Sequence, residues 1–261
     1  ESRLREAIRA ERFTLEYQPQ VRVDNGRITG LEALIRWPQA DGSVVMPNDF
    51  IPVAEQRGLI MPIGSWVLRA ACRQNRMWQV SGLPKVPVAV NLSMIQFKQR
   101  DFVAEVERVL SETALEPAWL AFELTENMLM RDSPEVQRTL EGLKALGVEL
   151  VIDDFGTGHS SLANLKRWPI DKIKVDRTFV RDVPGDADDV AITGAVIDLA
   201  RNLGITSIAE GVDGEAQLQF LLERGCEEFQ GFLLSRPLPA AAMAVFLAER
   251  RPDLKPSAAI A

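Results

Sequence analysis

Residues 14–36, TLEYQPQVRVDNGRITGLEALIR, decide how this chain folds. Two runs of strand-forming residues, Thr14–Gln18 and Ile28–Arg36, are separated by little more than the turn Asp24-Asn25-Gly26. Asn-Gly turns join antiparallel neighbours, because glycine supplies the positive φ that a tight hairpin needs. The rest of the chain follows a different pattern. Six further strand candidates are Val86–Leu92, Leu120–Leu124, Glu149–Asp153, Lys172–Val175, Thr206–Glu210 and Glu228–Phe232. Most are brief and several are apolar throughout, as strands buried on both faces should be. Between them lie helical patterns such as Pro62–Val80, Phe102–Ser111, Pro134–Leu146 and Asp188–Leu203, with Gly147 and Gly204 placed as C-caps. Such alternation implies βα units and a mostly parallel sheet. Eight strands in 261 residues suit a closed barrel better than an open sheet. The opening hairpin makes that barrel irregular. The predicted fold is therefore α/β, a modified (β/α)8 TIM-type barrel with one antiparallel strand near the N-terminus. It is expected to span residues 1–251, with 252–261 as a loose tail.

Composition narrows the function classes. Hydrophobic residues make up 46% and charged residues 26%, ordinary values for a globular chain with a sizeable core. A formal charge of −7 argues against a nucleic-acid polymer as partner, since that needs a basic stripe. It leaves a nucleotide substrate open, because bound cations can reverse the sign of a local site. Cys72 and Cys226 are the only cysteines, so no disulfide framework exists and a cytoplasmic, reducing setting is expected. No apolar run is long enough to span a bilayer. The chain starts at Glu1, directly in a helical pattern, which reads as a module of a longer parent carrying membrane or sensor segments.

The strand ends carry the chemistry. In parallel αβ folds, catalytic residues sit where strands give way to loops. Those positions hold Glu32, Asn91, Glu123 with Glu126 close behind, Asp153-Asp154, Lys174 and Asp176, Glu210, and Gln230. Any one acid at a strand end is ordinarily a solvated cap or half of an ion pair. Successive strands that all end in acid or amide groups are another matter, because a barrel brings them to one mouth. Gathering carboxylates there without cations would cost heavily in repulsion and desolvation. Hard divalent ions with oxygen ligands remove that cost, and Asp153-Asp154 could serve two at once. His159, the single histidine, follows the loop and reads as a residue packed at the rim. Gly156-Thr157-Gly158 looks like a phosphate-cradling turn but lacks the spacing of a P-loop or dinucleotide fingerprint.

These blocks, with Tyr17-Gln18-Pro19, Glu32-Ala33-Leu34-Ile35-Arg36-Trp37, Phe50-Ile51-Pro52-Val53-Ala54-Glu55, Val90-Asn91-Leu92-Ser93, Glu123-Leu124-Thr125-Glu126, Asp153-Asp154-Phe155-Gly156-Thr157-Gly158, Lys174-Val175-Asp176, Ala209-Glu210-Gly211-Val212 and Gln230-Gly231-Phe232, resemble the EAL family in order and over nearly the whole chain. The resemblance implies a hydrolase, a phosphodiesterase that opens cyclic di-GMP to linear 5′-pGpG in bacterial second-messenger signalling. It implies Mg2+ or Mn2+ as cofactor, in two sites, with Ca2+ inhibiting. By motif match Glu32, Asn91, Glu123 and Asp153 would hold one ion, and Asp153, Asp154 and Glu210 the other. Lys174 and Glu210 would be catalytic, Lys174 meeting the attacking water or the phosphate. Gln18, Leu34, Arg36 and Gln230 would contact substrate, Glu126 would anchor the loop after Asp154, and Asp176 and Asp213 would play outer roles. A homodimer through helices beside that loop, and a sensor or cyclase-like domain upstream, are implied as partners.

Three positions depart from the family pattern: His159 where Tyr is usual, Asn127 where Ser is common, and Asp213 in place of a frequent Glu. They bear on rate, loop ordering and dimer coupling more than on activity. Two rival readings remain at this level. One is a receptor that binds cyclic di-GMP without cutting it, although every expected ligand position is intact. The other is an enolase-like or aldolase-like barrel in which Lys174 forms a Schiff base, which a crowd of acids keeping the amine protonated disfavours.

Overall fold

In the computed structural model, which describes residues 1–129, 133–158 and 165–249, the predicted hairpin closes a barrel. The strands are β1 (Thr14–Arg22), β2 (Ile28–Pro38), β3 (Val44–Val45), β4 (Val88–Asn91), β5 (Leu120–Thr125), β6 (Glu149–Phe155), β7 (Lys172–Val175), β8 (Thr206–Glu210), β9 (Glu228–Gln230) and β10 (Leu238–Pro239). Their order is β10-β1-β9-β8-β7-β6-β5-β4-β2-β3, and β1 also pairs with β2, so eight strands form a ring. The one reversed member is β1, antiparallel to both β2 and β9, while β2 through β9 run parallel around the rest of the ring. The two-residue strands β3 and β10 pair with β2 and β1 respectively, both antiparallel.

The turn works as its sequence indicates. Arg22 N donates to Arg27 O at 2.9 Å, Gly26 N donates to Arg22 O at 3.0 Å, and Asn25 Oδ1 accepts from Arg27 N. Gly26 closes the turn at φ +68°, a conformation other residues reach only at a cost. The strand before it runs through Pro19 to Arg22, four residues past the predicted end, with a register shift at Gln20/Val21. Two other strands are shorter than predicted. Pro87 accepts from Leu31 N but has no N–H to give to a ladder, and β4 begins only at Val88. After Gln230 the chain folds back through Ser235 N to Gly231 O.

Helices Ile60–Val80, Phe102–Thr113, Pro134–Leu146, Ala187–Leu203 and Glu215–Arg224 cover the outside of the ring. Gly147 and Gly204 end two of them at positive φ, as expected. Helix Pro47–Gln56 was hidden in the sequence by Pro52 in its interior. One large apolar core lies between ring and helices, from Leu4 and Ala7 of the N-terminal helix to Met243 and Leu247 of helix Ala240–Glu249. No helix among the described residues is long and apolar enough to cross a membrane. His159 and the predicted tail from Pro252 lie outside the described residues.

Candidate active site

Side chains two apart on a strand share a face, and the barrel interior is built in such steps. Ala89, Ala121 and Val151 form a small apolar layer inside the ring. Two residues further along the same strands stand Asn91, Glu123 and Asp153. Lys174 likewise follows Lys172, Glu210 follows Ile208 and Gln230 follows Glu228. The residues predicted from strand ends therefore meet at the C-terminal mouth.

Adjacent residues should point to opposite faces, so Asp153 and Asp154 need a device to face one site. Between Ile152↔Ile173 and Phe155↔Val175, β6 spends two residues where β7 spends one. Asp154 takes φ +54° inside this bulge. Asp tolerates that region better than most residues, and bulges next to active sites re-aim side chains in this way. As a result Asp153, Asp154 and Glu210 each bring a carboxylate oxygen within 4.8 Å of the others.

Lys174 stands at the centre, 1% exposed, with Nζ 2.5 Å from Glu210, 3.0 Å from Glu123, 3.2 Å from Asp153 and 3.5 Å from Glu32. Amides hold the acids from the other side. Asn91 Nδ2 donates to Glu32 Oε1 at 2.7 Å, and Gln230 Nε2 donates to Glu32 Oε2 at 2.6 Å and to Gln18 Oε1 at 2.9 Å. Gln20, which the sequence reading missed, donates to Gln230 Oε1 at 3.0 Å and to Glu123 Oε1 at 3.4 Å. Its signal was the same two-residue step: Gln20 follows Gln18 on β1.

The electrostatics are those of too many acids for one ammonium. Burial pushes Glu123 well above the usual carboxylate range, and Glu32 beside it adds to the effect. Burial, then Asp153, pushes Asp154 up to about 6. Burial pushes Glu210 up to about 8 against the pull of Lys174, with Asp153 and Glu32 adding to the rise. Glu32 lies low: burial works to raise it, but the Lys174 ammonium and the hydrogen bonds from Gln230 and Asn91 outweigh burial. Burial also opposes charge on Lys174, yet Asp153, Glu123, Glu210 and Glu32 together hold it well above the ordinary lysine value. A lysine so protonated is no amine nucleophile, which removes the Schiff-base reading.

The donor set fits a hard divalent cation. Glu123 Oε2 and Asp153 Oδ1 are buried and accept no hydrogen bond, facing Lys174 in a geometry that makes only a through-space contact. Buried carboxylate oxygens that accept no aligned hydrogen bond, in an acid-rich cluster, are what Mg2+-like ions bind.

Around this centre the other predicted residues take distinct places. Glu126 Oε2 accepts from Gly156 N at 3.0 Å and Gly158 N at 3.1 Å, so the glycine-rich loop cradles a carboxylate of the protein itself. A Cβ at Gly158 would lie 2.8 Å from that carboxylate, which explains the glycine. Asp176 caps the short helix Arg177–Val180 by accepting from Thr178 N, and its carboxyl also meets that of Asp154. Asp213 is turned away from the cluster, its Oδ1 accepting from Phe232 N at 2.9 Å. Arg36 is buried and paired with Glu16 at 2.7 Å, the surface-acid partner that a strand-end arginine ordinarily finds. Asn127 is exposed. Leu34 and Asn91 lie on a cavity of about 640 Å3, walled by Ile51, Pro52, Ile60, Ile63 and Val67 with Glu55, Ser93, Gln96 and Thr125 among its polar groups.

The profile of the EAL domain matches residues 1–237. The chain belongs to the EAL domain family. This EAL domain is 46% identical over 237 residues to the bifunctional diguanylate cyclase/cyclic di-GMP phosphodiesterase MucR of Pseudomonas aeruginosa, covering 91% of this chain and 35% of that protein. It is 42% identical over 256 residues to the cyclic di-GMP phosphodiesterase NbdA of the same organism, covering 98% of this chain and 33% of that one. The chain thus spans about a third of the length of these curated relatives. Among solved structures, a MucR phosphodiesterase in complex with c-di-GMP superposes with a TM-score of 0.89 at 45% identity, over 93% of this chain and 98% of that one. The EAL enzyme Bd1971, bound to cAMP and cyclic di-GMP, gives 0.89 at 31% identity, over 94% of this chain and 67% of that one.

Proposed function

We propose that this EAL domain hydrolyses one phosphodiester bond of cyclic di-GMP, yielding linear 5′-pGpG. The observation that carries this reading is the mouth itself: buried carboxylate oxygens without hydrogen bonds, gathered round one lysine beside a cavity of about 640 Å3. The likeness to relatives named as cyclic di-GMP phosphodiesterases supplies the substrate.

We assign Glu32, Asn91, Glu123 and Asp153 to one divalent ion and Asp153, Asp154 and Glu210 to a second. Mg2+ or Mn2+ suits this set, whereas Ca2+, which prefers more ligands at longer distances, is expected to inhibit. Such ions, when bound, neutralise the diester and lower the pKa of water. The chain's own groups do the rest. Lys174 Nζ reaches the water or the phosphate from the centre of the mouth, and Glu210 beside it can take a proton from that water. Gln230 and Gln18 fix Glu32 and the sugar-phosphate ring, Leu34 lines the recess that admits one base, and Arg36 offers its planar fork to the phosphate that is not cut. Glu126 keeps the loop after Asp154 in place. The water's oxygen bonds to phosphorus as the bond to the 3′-oxygen breaks, and a proton reaches that oxygen.

Incubation with cyclic di-GMP and Mn2+, followed by chromatography, tests the proposal. Linear pGpG is expected; tight binding with no product would make the domain a receptor. For the whole protein we propose an upstream sensor or cyclase-like domain and a homodimer through helices beside the Asp153–Gly158 loop. The greater length of the relatives, one of them named as a cyclase as well, supports the first of these.

A further inference from the structure

We infer that Gln20 is a positioning residue for the ion assigned to Glu32, Asn91, Glu123 and Asp153, and that Gly30 is a glycine to leave its amide room. The inference rests on the two-ion reading and deepens it, because it makes one ion depend on an outer amide and the other not.

The reversed strand β1 brings amides to a mouth where its parallel neighbours bring acids. Gln18 and Gln20 stand two residues apart on its inner face, both buried. Gln20 Nε2 donates to Gln230 Oε1 at 3.0 Å and to Glu123 Oε1 at 3.4 Å. An ionised carboxylate accepts hydrogen bonds and donates none, so the amide nitrogen, not the oxygen, must face Glu123. That choice propagates. Gln230 turns its oxygen to Gln20, which leaves its Nε2 for Glu32 Oε2 at 2.6 Å and Gln18 Oε1 at 2.9 Å. Gln18 in turn gives its Nε2 to Ser235 O at 3.1 Å. The amides therefore share one polarity, with Gln20 at the head of the chain.

Both carboxylates held by this chain belong to the same ion. Glu123 Oε1 is tied by Gln20 and Glu32 Oε2 by Gln230, while Glu123 Oε2 stays without a hydrogen bond beside Lys174. Groups that hold a ligand from behind fix its orientation and raise metal affinity. An amide nitrogen carries two N–H groups. Those of Gln20 go to Gln230 and Glu123, and those of Gln230 to Glu32 and Gln18, so neither is left for Asp154 or Glu210 at the second ion.

Gly30 lies directly opposite Gln20 in the pairing of β1 with β2. It does not take a positive φ, so the backbone makes no demand for glycine there. The demand is for space. A Cβ at Gly30 would stand 2.7 Å from Gln20 Oε1, with the next nearest atoms, Gln20 Cδ and Pro87 O, at 3.7 Å. A methyl group here pushes the amide aside and touches none of the carboxylates, which gives a way to move Gln20 without altering it.

Mn2+ calorimetry on chelator-stripped protein tests the inference with Gln20→Ala, Gly30→Ala and the two combined. The parent should bind about two ions per chain. Gln20→Ala should weaken one of them roughly 10- to 100-fold, as loss of a partner behind a ligand does, and leave the other nearly unchanged. Gly30→Ala should weaken the same ion, although it removes no polar group. The combined variant should bind within about twofold of Gln20→Ala, because the added methyl then has no amide to displace. Gln20→Leu keeps the bulk and loses the N–H, so it should behave as Gln20→Ala does; restored affinity would make the role one of packing and overturn the inference. Unchanged constants for Gln20→Ala would overturn it too, as would equal weakening of both ions, or losses from Gln20→Ala and Gly30→Ala that multiply. If the domain binds Mn2+ but leaves cyclic di-GMP whole, the hydrolysis reading fails and these constants still decide this one. A parent that binds no Mn2+ overturns both.

Discussion

Lys172 and Lys174 sit two residues apart on β7, face the same barrel interior and are both buried, yet their surroundings differ. At the floor, Lys172 Nζ lies 3.1 Å from Glu228 and 3.5 Å from Glu149. Burial raises Glu149, against the pull of Lys172, and Glu228 adds to the rise. At the mouth, Lys174 meets four carboxylates within 3.5 Å and Asp154 stands next to them. The floor sets two carboxylates against one lysine and locks the strand starts together. At the mouth five carboxylates stand against one lysine, and the buried Glu123 Oε2 and Asp153 Oδ1, which accept no hydrogen bond among the described residues, suit a further cation. The same residue types on one strand thus make a structural plug at one end and an ion-binding site at the other.

The largest effect should come from unbalancing the mouth. Glu32→Ala is expected to lower turnover of cyclic di-GMP on the order of a thousandfold or more, as removal of a metal ligand should. The variant should still unfold cooperatively, since the loss also relieves repulsion; near-parental activity would refute the ligand assignment. Unbalancing the floor should show the opposite pattern. Lys172→Met leaves Glu149 and Glu228 buried without their cation, which should cost about 3–5 kcal/mol in urea unfolding. The folded fraction should still cut substrate, and a selective loss of kcat would mean that the two ends are coupled.

Protonation sharpens the contrast. Glu210 at about 8 and Asp154 at about 6 lie above the ordinary carboxylate values of 4.5 and 3.8 expected in the unfolded chain. Between those limits the metal-free folded state holds more protons than the unfolded one, so its stability should fall as pH rises from about 5 to 8. Melting temperatures in chelator should follow that slope, and Mn2+ should flatten it by replacing protons. A chelated protein that grows more stable over this range would contradict the pKa pattern of the mouth. The smallest effect belongs to the hairpin. Gly26→Ala should cost about 1–2 kcal/mol, read from chemical denaturation, for forcing a Cβ into the left-handed region.

Much of this arrangement was legible in the sequence. Lys172–Val175 and Thr206–Glu210 announce themselves as strands by composition, and the turn at Gly26 forecasts the reversed strand. The residues of the mouth could be read because strand ends in a barrel converge. Other features were not legible, for physical reasons. Period-two alternation places Asp153 and Asp154 on opposite faces, and only the bulge at φ +54° undoes that. The strands Val44–Val45 and Leu238–Pro239 are too short to show any period. The floor trio went unseen because Glu149, Lys172 and Glu228 each look like a solvated strand start until the ring closes around them. The Glu16 partner of Arg36 depends on hairpin register, which no local pattern prints.

Mn2+ binding to chelator-stripped protein, followed by calorimetry, tests the surplus charge of the mouth most directly. The parent protein and Lys172→Met should each bind about two ions per chain, and the double variant Asp153→Asn/Asp154→Asn should bind none at the same concentrations. Failure of the parent to bind, or equal binding by the double variant, would contradict the account.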